Sequence, residues 1–274
     1  MTLEDHAGDV VRKSRLMMEV SAGEAAAAGG ITLEALSAFE SAGEAPAGLN
    51  WDGLAARLDL SGEKLRRVAG GWLPEPVDPA CWRELRVITT EGNGMTVNAF
   101  LVWDPQTRDA ALFDTGFDAE PIVRCIDGER LNLRQIFITH THGDHVAALE
   151  PLRVRYAGAG LHTNAKAAPA QHRNQPGACI EVGSLRITHR ETVGHAEDGV
   201  TYLIRGFGGG APEVAVVGDA MFAGSIGGAP GKGPSTKQAI REQILSLPAA
   251  TLVCPGHGPL TTVGEQARVN PFFV

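Results

Sequence analysis

What the 274-residue chain lacks narrows its class first. No stretch approaches the roughly 18 uninterrupted apolar residues that a membrane-spanning helix needs. Met1 to Val10 is acidic and polar, without the basic start and apolar run of a secretory signal, so a cytoplasmic protein is expected. The four cysteines, Cys81, Cys125, Cys179 and Cys254, are scattered with no C-x-x-C pair. That pattern argues against a disulfide framework and against a cysteine-based zinc site; all four are expected to be reduced, most of them as packing residues. A basic excess is missing too. The net charge is −8, with 13 acidic against 7 basic residues in 1–80 and 19 against 17 in the rest. Neither part has the surplus that displaces counterions from nucleic acid. What remains, 43% hydrophobic and 20% charged residues, is ordinary for a globular chain of one large and one small domain.

The first 80 residues read as helical. Val10 to Val20 mixes apolar and charged residues at helical spacing, and Ala22 to Ala28 is stopped by Gly29-Gly30. Thr32 is placed to cap Leu33 to Phe39, Asp52 to cap a short helix through Leu58, and Ser61 to cap another ending at Gly70-Gly71. Leu33, Leu36, Phe39, Trp51, Leu54 and Leu58 are the expected core, with Trp72 at the joint to the next domain. Pro74, Pro76 and Pro79 form a stiff linker, which puts the division at 1–80 and 81–274. Beyond it the pattern changes to short apolar runs. Leu85 to Thr89, Val97 to Trp103, Ala110 to Phe113, Ile136 to Thr139, Leu185 to Thr188, Val200 to Ile204, Val214 to Val217 and Thr251 to Val253 read as strands. Helices are expected over Ala119 to Ile126, His145 to Tyr156 and Thr236 to Leu245. This α/β alternation requires sheets covered by helices.

Chemistry concentrates at Thr139-His140-Thr141-His142-Gly143-Asp144-His145, where an apolar strand ends and a helix begins. His140 and His142, two apart in an extended segment, aim at one point; Asp144 and His145 aim at a neighbouring one, and Gly143 allows the turn between them. Imidazole and carboxylate suit zinc, iron or manganese. Three further strand ends carry a metal-competent residue beside glycine: Gly194-His195, Gly218-Asp219 and Pro255-Gly256-His257-Gly258-Pro259.

The series HxHxDH, Gly-His, Gly-Asp, Pro-Gly-His-Gly-Pro resembles the metallo-β-lactamase superfamily over roughly residues 84–274, and within it the short glyoxalase II-like (hydroxyacylglutathione hydrolase-like) enzymes. Phe113-Asp114-Thr115-Gly116 matches the superfamily's early Asp-x-Gly turn. The resemblance implies an αββα sandwich, here with a small helical N-terminal domain, and two divalent metal ions, zinc first and iron or manganese as alternatives. One metal would take His140, His142 and His195, the other Asp144, His145 and His257, with Asp219 bridging them. Asp114 would accept a hydrogen bond from a ligand imidazole. The implied activity is hydrolysis of an ester-like bond in a small-molecule substrate, a thioester of the hydroxyacylglutathione type, by a metal-held hydroxide, with Asp144 and Asp219 as its carboxylates.

Two departures bear on the substrate. The relatives' Gly-His-Thr-Pro-Gly is here Gly194-His195-Ala196-Glu197-Asp198-Gly199, an acidic loop. Their basic residue after the bridging aspartate is missing from Gly224-Ser225-Ile226-Gly227-Gly228, and Lys232 and Lys237 are the expected replacements. A mononuclear iron persulfide dioxygenase, using His140, His195 and Asp219, is the alternative enzyme. Residues 10–72 faintly resemble a Cro-like helix-turn-helix domain, which raises a metabolite-sensing DNA-binding regulator as a third reading. Its recognition segment, Thr32 to Ser41, carries Glu34 and Glu40 and no Arg or Lys, so a phosphate backbone would repel it. A dimerisation surface, giving a homodimer, or a cover for the site fits the helices better.

Overall fold

A computed structural model describes residues 2–274, the side chain of Pro79 excepted. Five helices come first: α1 (Ala7–Met17), α2 (Ala22–Gly29), α3 (Leu33–Ala42), α4 (Trp51–Arg57) and α5 (Gly62–Ala69). Each starts where a side chain accepts the backbone N–H three residues on: His6, Ser21, Thr32, Asn50 and Ser61. Thr32 and Ser61 are thus the caps the sequence announces, but α4 is capped by Asn50, not by Asp52. The first helix spans Ala7–Met17 rather than Val10 to Val20, because His6 and Asp9 close a capping box before Val10.

Two sheets follow. The first has the order β1-β2-β3-β4-β5: β1 (Leu85–Gly92), β2 (Met95–Trp103), β3 (Asp109–Phe113), β4 (Asn132–Phe137) and β5 (Gly160–His162). The second runs β13-β12-β9-β8-β7-β6, built from β6 (Ile180–Val182), β7 (Leu185–Glu191), β8 (Val200–Arg205), β9 (Val214–Gly218), β12 (Leu252–Pro255) and β13 (Thr261–Thr262). A small hairpin, β10 (Met221–Phe222) with β11 (Ser225–Ile226), stands apart. The later helices are α6 (Ala119–Gly128), α7 (Gly143–Val146), α8 (Leu149–Arg155), α9 (Gly233–Gln243) and α10 (Val263–Val269).

Alternation along the strands creates the layers, because successive side chains leave opposite faces. Phe100, Val102, Val214 and Val216 join Phe113, Phe137 and Tyr202 in the core between the sheets. Ala99, Leu101 and Trp103 point the other way, against Ile122 and Ile126 of α6 and Leu152 of α8. Ala215 and Val217 point outward from the second sheet, against Ile240 of α9 and Val263 of α10. The architecture is an αββα sandwich with the helical region α1–α5 attached. That region's core, including Val10, Val11, Leu36, Phe39, Leu54 and Leu58, is continuous with the outer face of the second sheet. The sequence pattern changes near residue 80, but the apolar packing runs across that point.

Several expectations need correction. Leu33 is 52% exposed and outside the core, whereas Leu36 and Phe39 are buried. Only Cys254 packs in the interior; Cys81 and Cys179 are exposed and Cys125 is half-buried. The helix read over His145 to Tyr156 is two pieces. Ala148 N–H bonds to Gly116 O, and Pro151 has no N–H to give Ala147, so the ladder breaks between α7 and α8. β4 begins at Asn132 and ends at Phe137, leaving Ile138 and Thr139 to the site loop. The strands β5, β6, β10, β11 and β13 span only two or three residues, too few for a period to show in the sequence. In the segment compared with a recognition helix, Glu40 is held by both Nε and Nη2 of Arg15, at 2.7 and 2.8 Å. Among the described residues no helix is long and apolar enough to cross a membrane.

Candidate metal centre

Strand directions bring the polar strand ends together. β3 and β4 are parallel, as are β9 and β12, while β7 and β9 both pair antiparallel with β8. The C-terminal ends within each sheet therefore share one edge, and the segments leaving them carry Asp114, the His140–His145 turn, His195, Asp219 and His257. The two sheets are tied there by Val200 N–H to Thr139 O at 2.9 Å and by Tyr202 O–H to Ile138 O at 3.1 Å.

All five histidines and both aspartates singled out from the sequence meet at this edge. Three groups have ligand atoms close enough to hold one ion: His140, His142 and His195; Asp144, His145 and His257; and His140, His145 and Asp219. His142 Nδ1 lies 3.0 Å from His140 Nε2 and 2.9 Å from His195 Nε2. His257 Nε2 lies 3.1 Å from Asp144 Oδ2 and 3.4 Å from Asp219 Oδ2. Asp219 also approaches His145 Nε2 at 3.3 Å and His195 Nε2 at 3.6 Å, so it stands between the first two groups. Gly256 makes this closeness possible, since a Cβ there would fall 2.4 Å from Asp219 Oδ1 and 2.5 Å from His145 Cε1.

The far side of four of the five rings is anchored. His145 Nδ1 donates to Asp114 Oδ2 at 2.8 Å, His195 Nδ1 to Gly228 O at 3.1 Å and His257 Nδ1 to Thr96 O at 2.5 Å. His140 Nδ1 meets Thr139 Oγ1 at 3.1 Å, and that hydroxyl donates to Asp114 Oδ2 at 2.8 Å. With a proton held on Nδ1, Nε2 is the nitrogen these four rings can offer inward to an ion, while His142 turns Nδ1 inward. His145 Nε2 and Asp219 Oδ1 are buried without a hydrogen-bond partner. Buried polar atoms are seldom left so, and inward lone pairs beside carboxylates are the donor set of a divalent cation. The residues therefore fit one or two such ions.

Electrostatics in the metal-free protein divide the rings. Burial, with His145 next to it, pushes His140 down to about 2, and burial also lowers His195. Burial works against the charge on His145 as well, but Asp114 and Asp219 outweigh it and raise that ring to about 10. His257 is raised to about 9 by Asp219 and the Thr96 carbonyl against the pull of burial. Asp219 stays well below the usual carboxylate range, because His145 and His257 overcome its desolvation.

The two lysines expected near the substrate are placed differently. Lys237 is 2% exposed and turned away: its ammonium donates to the Asp59 carbonyl and, at 2.6 Å, to Asp59 Oδ2. The helical region thus takes this cation as an anchor. Lys232 is exposed at the N-cap of α9. Sequence reasoning missed Thr139, whose hydroxyl links Asp114 to His140, and the carbonyls of Thr96 and Gly228, which no side-chain pattern marks. It also missed the use of the acidic loop after His195. Asp198 accepts from Thr141 N–H at 3.1 Å and from Thr141 Oγ1 at 2.7 Å, tying that loop to the His140–His142 turn.

A family model described as "Metallo-beta-lactamase superfamily" matches residues 92–257. The probable metallo-hydrolase YqgX of Bacillus subtilis is 28% identical over 216 residues, 70% of this chain and 97% of its own length. The hydroxyacylglutathione hydrolase GloC of Haemophilus influenzae is 28% identical over 201 residues, 64% of this chain and 92% of its own. Among solved structures, the BLEG-1 B3 metallo-beta-lactamase superposes with a TM-score of 0.60 at 27% identity, covering 69% of this chain and 99% of that one. TTHA1623 in a di-iron-bound form gives a TM-score of 0.54 at 27% identity, covering 69% and 100%. The helices α1–α5 lie outside the family match.

Proposed function

Because the chain belongs to the metallo-beta-lactamase superfamily, with five histidines and two aspartates closed round one centre, we propose that it is a divalent-metal hydrolase of an ester-like bond, foremost a hydroxyacylglutathione-type thioester. The observation that carries this reading is the set of anchored rings whose inward nitrogens have no protein partner but one another and two carboxylates. A hydroxyacylglutathione hydrolase among the relatives supports the thioester; at 28% identity it is support for a class.

His140, His142 and His195 would hold one ion, Asp144, His145 and His257 the other, with Asp219 shared between them. Zinc is the first candidate, with iron or manganese as alternatives. Such a pair supplies a water acidic enough to attack at neutral pH and an electrophile for the carbonyl oxygen. The remaining work falls to the chain. Asp219 stays ionised and offsets the positive charge gathered by the rings. Asp144, the more exposed carboxylate at 16% against 9% for the Asp219 side chain, is placed to pass the proton shed by water to solvent. Asp114, Thr139 and the Gly228 and Thr96 carbonyls hold the rings still, so little reorganisation accompanies the reaction. Water oxygen joins the acyl carbon, the carbon–sulfur bond breaks, and the thiol leaves with a proton.

The test is metal content per chain by plasma mass spectrometry on protein purified without chelator, followed by a panel of thioesters, lactones and phosphodiesters. About two equivalents of metal with thioester cleavage is the expected result. Failure on the whole panel at full metal loading overturns the reading. One equivalent of iron with oxygen uptake on glutathione persulfide replaces it with the dioxygenase.

A further inference from the structure

The N-terminal helices reach the metal centre from outside the family-matched residues 92–257. Glu4 packs on the loop after His257, where a Cβ added to Gly258 would lie 3.0 Å from the Glu4 nitrogen. Two turns into α1, Lys13 arrives on the other side. Its Nζ donates to Ile226 O at 3.3 Å, and its Cγ lies against Gly228. Gly228 is the residue whose carbonyl fixes His195 Nδ1, so lysine and ligand ring hold the same short run from two sides. The ammonium also stands 4.8 Å from the centre of the Phe222 ring, and that ring meets His257 edge-on at 5.9 Å. Lys13 thus packs on the β10–β11 hairpin and the run after it, whose Gly228 and Phe222 in turn touch the rings of His195 and His257.

Its charge is oriented. Asp5 Oδ2 accepts from Nζ at 2.5 Å, but the Asp5 side chain is 7% exposed against 25% for Lys13. The carboxylate of the pair is therefore buried, while the lysine side chain keeps some access to solvent. An ammonium has three donors; Asp5 and Ile226 take two, which leaves one for a further partner. The run Ala223–Gly228 contributes no side-chain cation of its own, and Lys237 is committed to Asp59.

We propose that Lys13 is the specificity-determining cation of this site, taking a carboxylate on the substrate whose scissile bond lies at the His/Asp cluster. This rests on the hydrolase reading above and narrows its substrates to anionic thioesters. Asp5, paired with the ammonium, competes with the substrate carboxylate for it and so sets how strong the preference is. A charge-assisted hydrogen bond of this kind contributes about 1.5–3 kcal/mol, or roughly tenfold to a hundredfold in selectivity.

The test uses the metal-loaded full chain and two thioesters of one 2-hydroxyacyl group, with 3-mercaptopropionate and 3-mercaptopropanamide as leaving thiols. The readout is the carboxylate-to-amide ratio of kcat/KM. In Lys13→Met the ratio falls about tenfold or more, through KM, and Lys13→Arg restores part of it. In Asp5→Asn one of the two anions near Lys13 is gone, Glu4 remaining, and the ratio rises, an opposite sign that simple loss of packing cannot give. Calorimetric binding of the two free thiols to the same proteins repeats the comparison without turnover. Should the wild type cleave neither thioester yet prefer the carboxylate thiol in a Lys13-dependent way, the hydrolase reading falls and the Lys13 assignment stands. A ratio unmoved in both Lys13→Met and Asp5→Asn, or one that collapses in Lys232→Met instead, overturns the assignment.

Discussion

Asp114 offers the sharpest perturbation of the centre that leaves every metal-facing residue in place. It is buried, with a left-handed backbone at φ 56°. Asparagine tolerates that conformation, so Asp114→Asn changes the hydrogen bonding and little else. In the native protein Oδ1 accepts the Thr139 N–H at 2.7 Å, while Oδ2 accepts Thr139 Oγ1 and His145 Nδ1, both at 2.8 Å. The Thr139 N–H is a fixed donor, so the asparagine must keep its oxygen there. Its amide NH2 then takes the place of Oδ2. It can donate to the hydroxyl, which rotates, but it must also donate to His145 Nδ1. The ring changes tautomer and its proton moves to Nε2, the atom that faces Asp144 and Asp219. Losing an orienting partner of this kind costs about 10–100-fold in metal affinity, here at the Asp144, His145 and His257 group alone. Competitive chelator titration of wild type and variant, followed by mass spectrometry of the metal retained, measures it. The expected variant keeps about one equivalent tightly and binds the second weakly. Asp114→Ala should cost stability as well, roughly 3–5 kcal/mol in the metal-free protein, since a buried charge partner is removed. Two equivalents held by Asp114→Asn at native affinity, in a protein that melts normally, would refute the argument that Asp114 sets the tautomer of a ligand.

Asp219→Ala should lose both metals together, because one carboxylate faces His145, His195 and His257 at 3.3–3.6 Å; retention of one tight equivalent would contradict the shared role. Metal uptake should be proton-linked chiefly at one group. In the metal-free protein His145 and His257, raised to about 10 and about 9, are charged at neutral pH and must give up protons, whereas His140, lowered to about 2, and His195, also lowered, are already neutral. Affinity at the Asp144 group should therefore rise with pH up to about 10 and fall in acid, releasing about two protons per metal near pH 7, while the three-histidine group releases fewer. Calorimetry in buffers of different ionisation heat reads the difference, and equal release at both steps would count against it. Lys237→Met should cost roughly 1–3 kcal/mol in chemical denaturation, by stranding the Asp59 carbonyl, while metal content stays native.

The ligand set was legible in the sequence because its signal is local. Each member follows a strand or opens a helix, most of them next to a glycine, and His140 to His145 carry four members within six residues. The α/β alternation was legible for the same reason: Val97 to Trp103 and Val214 to Val217 are long enough to show their apolar character. What was not legible depends on contacts distant in sequence. The carbonyls of Thr96 and Gly228 orient rings from 161 and 33 residues away, and a backbone oxygen leaves no mark on a side-chain pattern. Lys237 reads as a cation available to a substrate until Asp59, 178 residues earlier, is seen to hold it. Leu33 has the right spacing for a core position, but at the first turn of α3 it falls beyond the edge of the packing.

The same distinction explains the helical region. Its polarity, its caps and the prolines after it describe a unit of its own, and local patterning has no means of describing anything else. Yet the second sheet presents Leu203, Ala215, Val217 and Val253 outward, and α9 and α10 cover that face with only a few large side chains, Ile240, Ile244, Val263 and Val269 among them. A sheet buried on both faces needs more apolar cover than this. The helices α1–α5 provide it, locked by Lys237 on Asp59, by Lys64 on the Ala267 carbonyl at 2.9 Å and by Ser61 N–H on Pro271 O at 2.8 Å. Once the helices are needed for the sheet, their position is no longer free. Covering β9 and the hairpin β10–β11 brings α1 beside Gly228 and the segment before it beside Gly258, at the mouth of the centre. The contact of Lys13 with the loop behind His195 thus follows from packing, and a region outside the family's shared residues becomes part of the wall that a substrate meets.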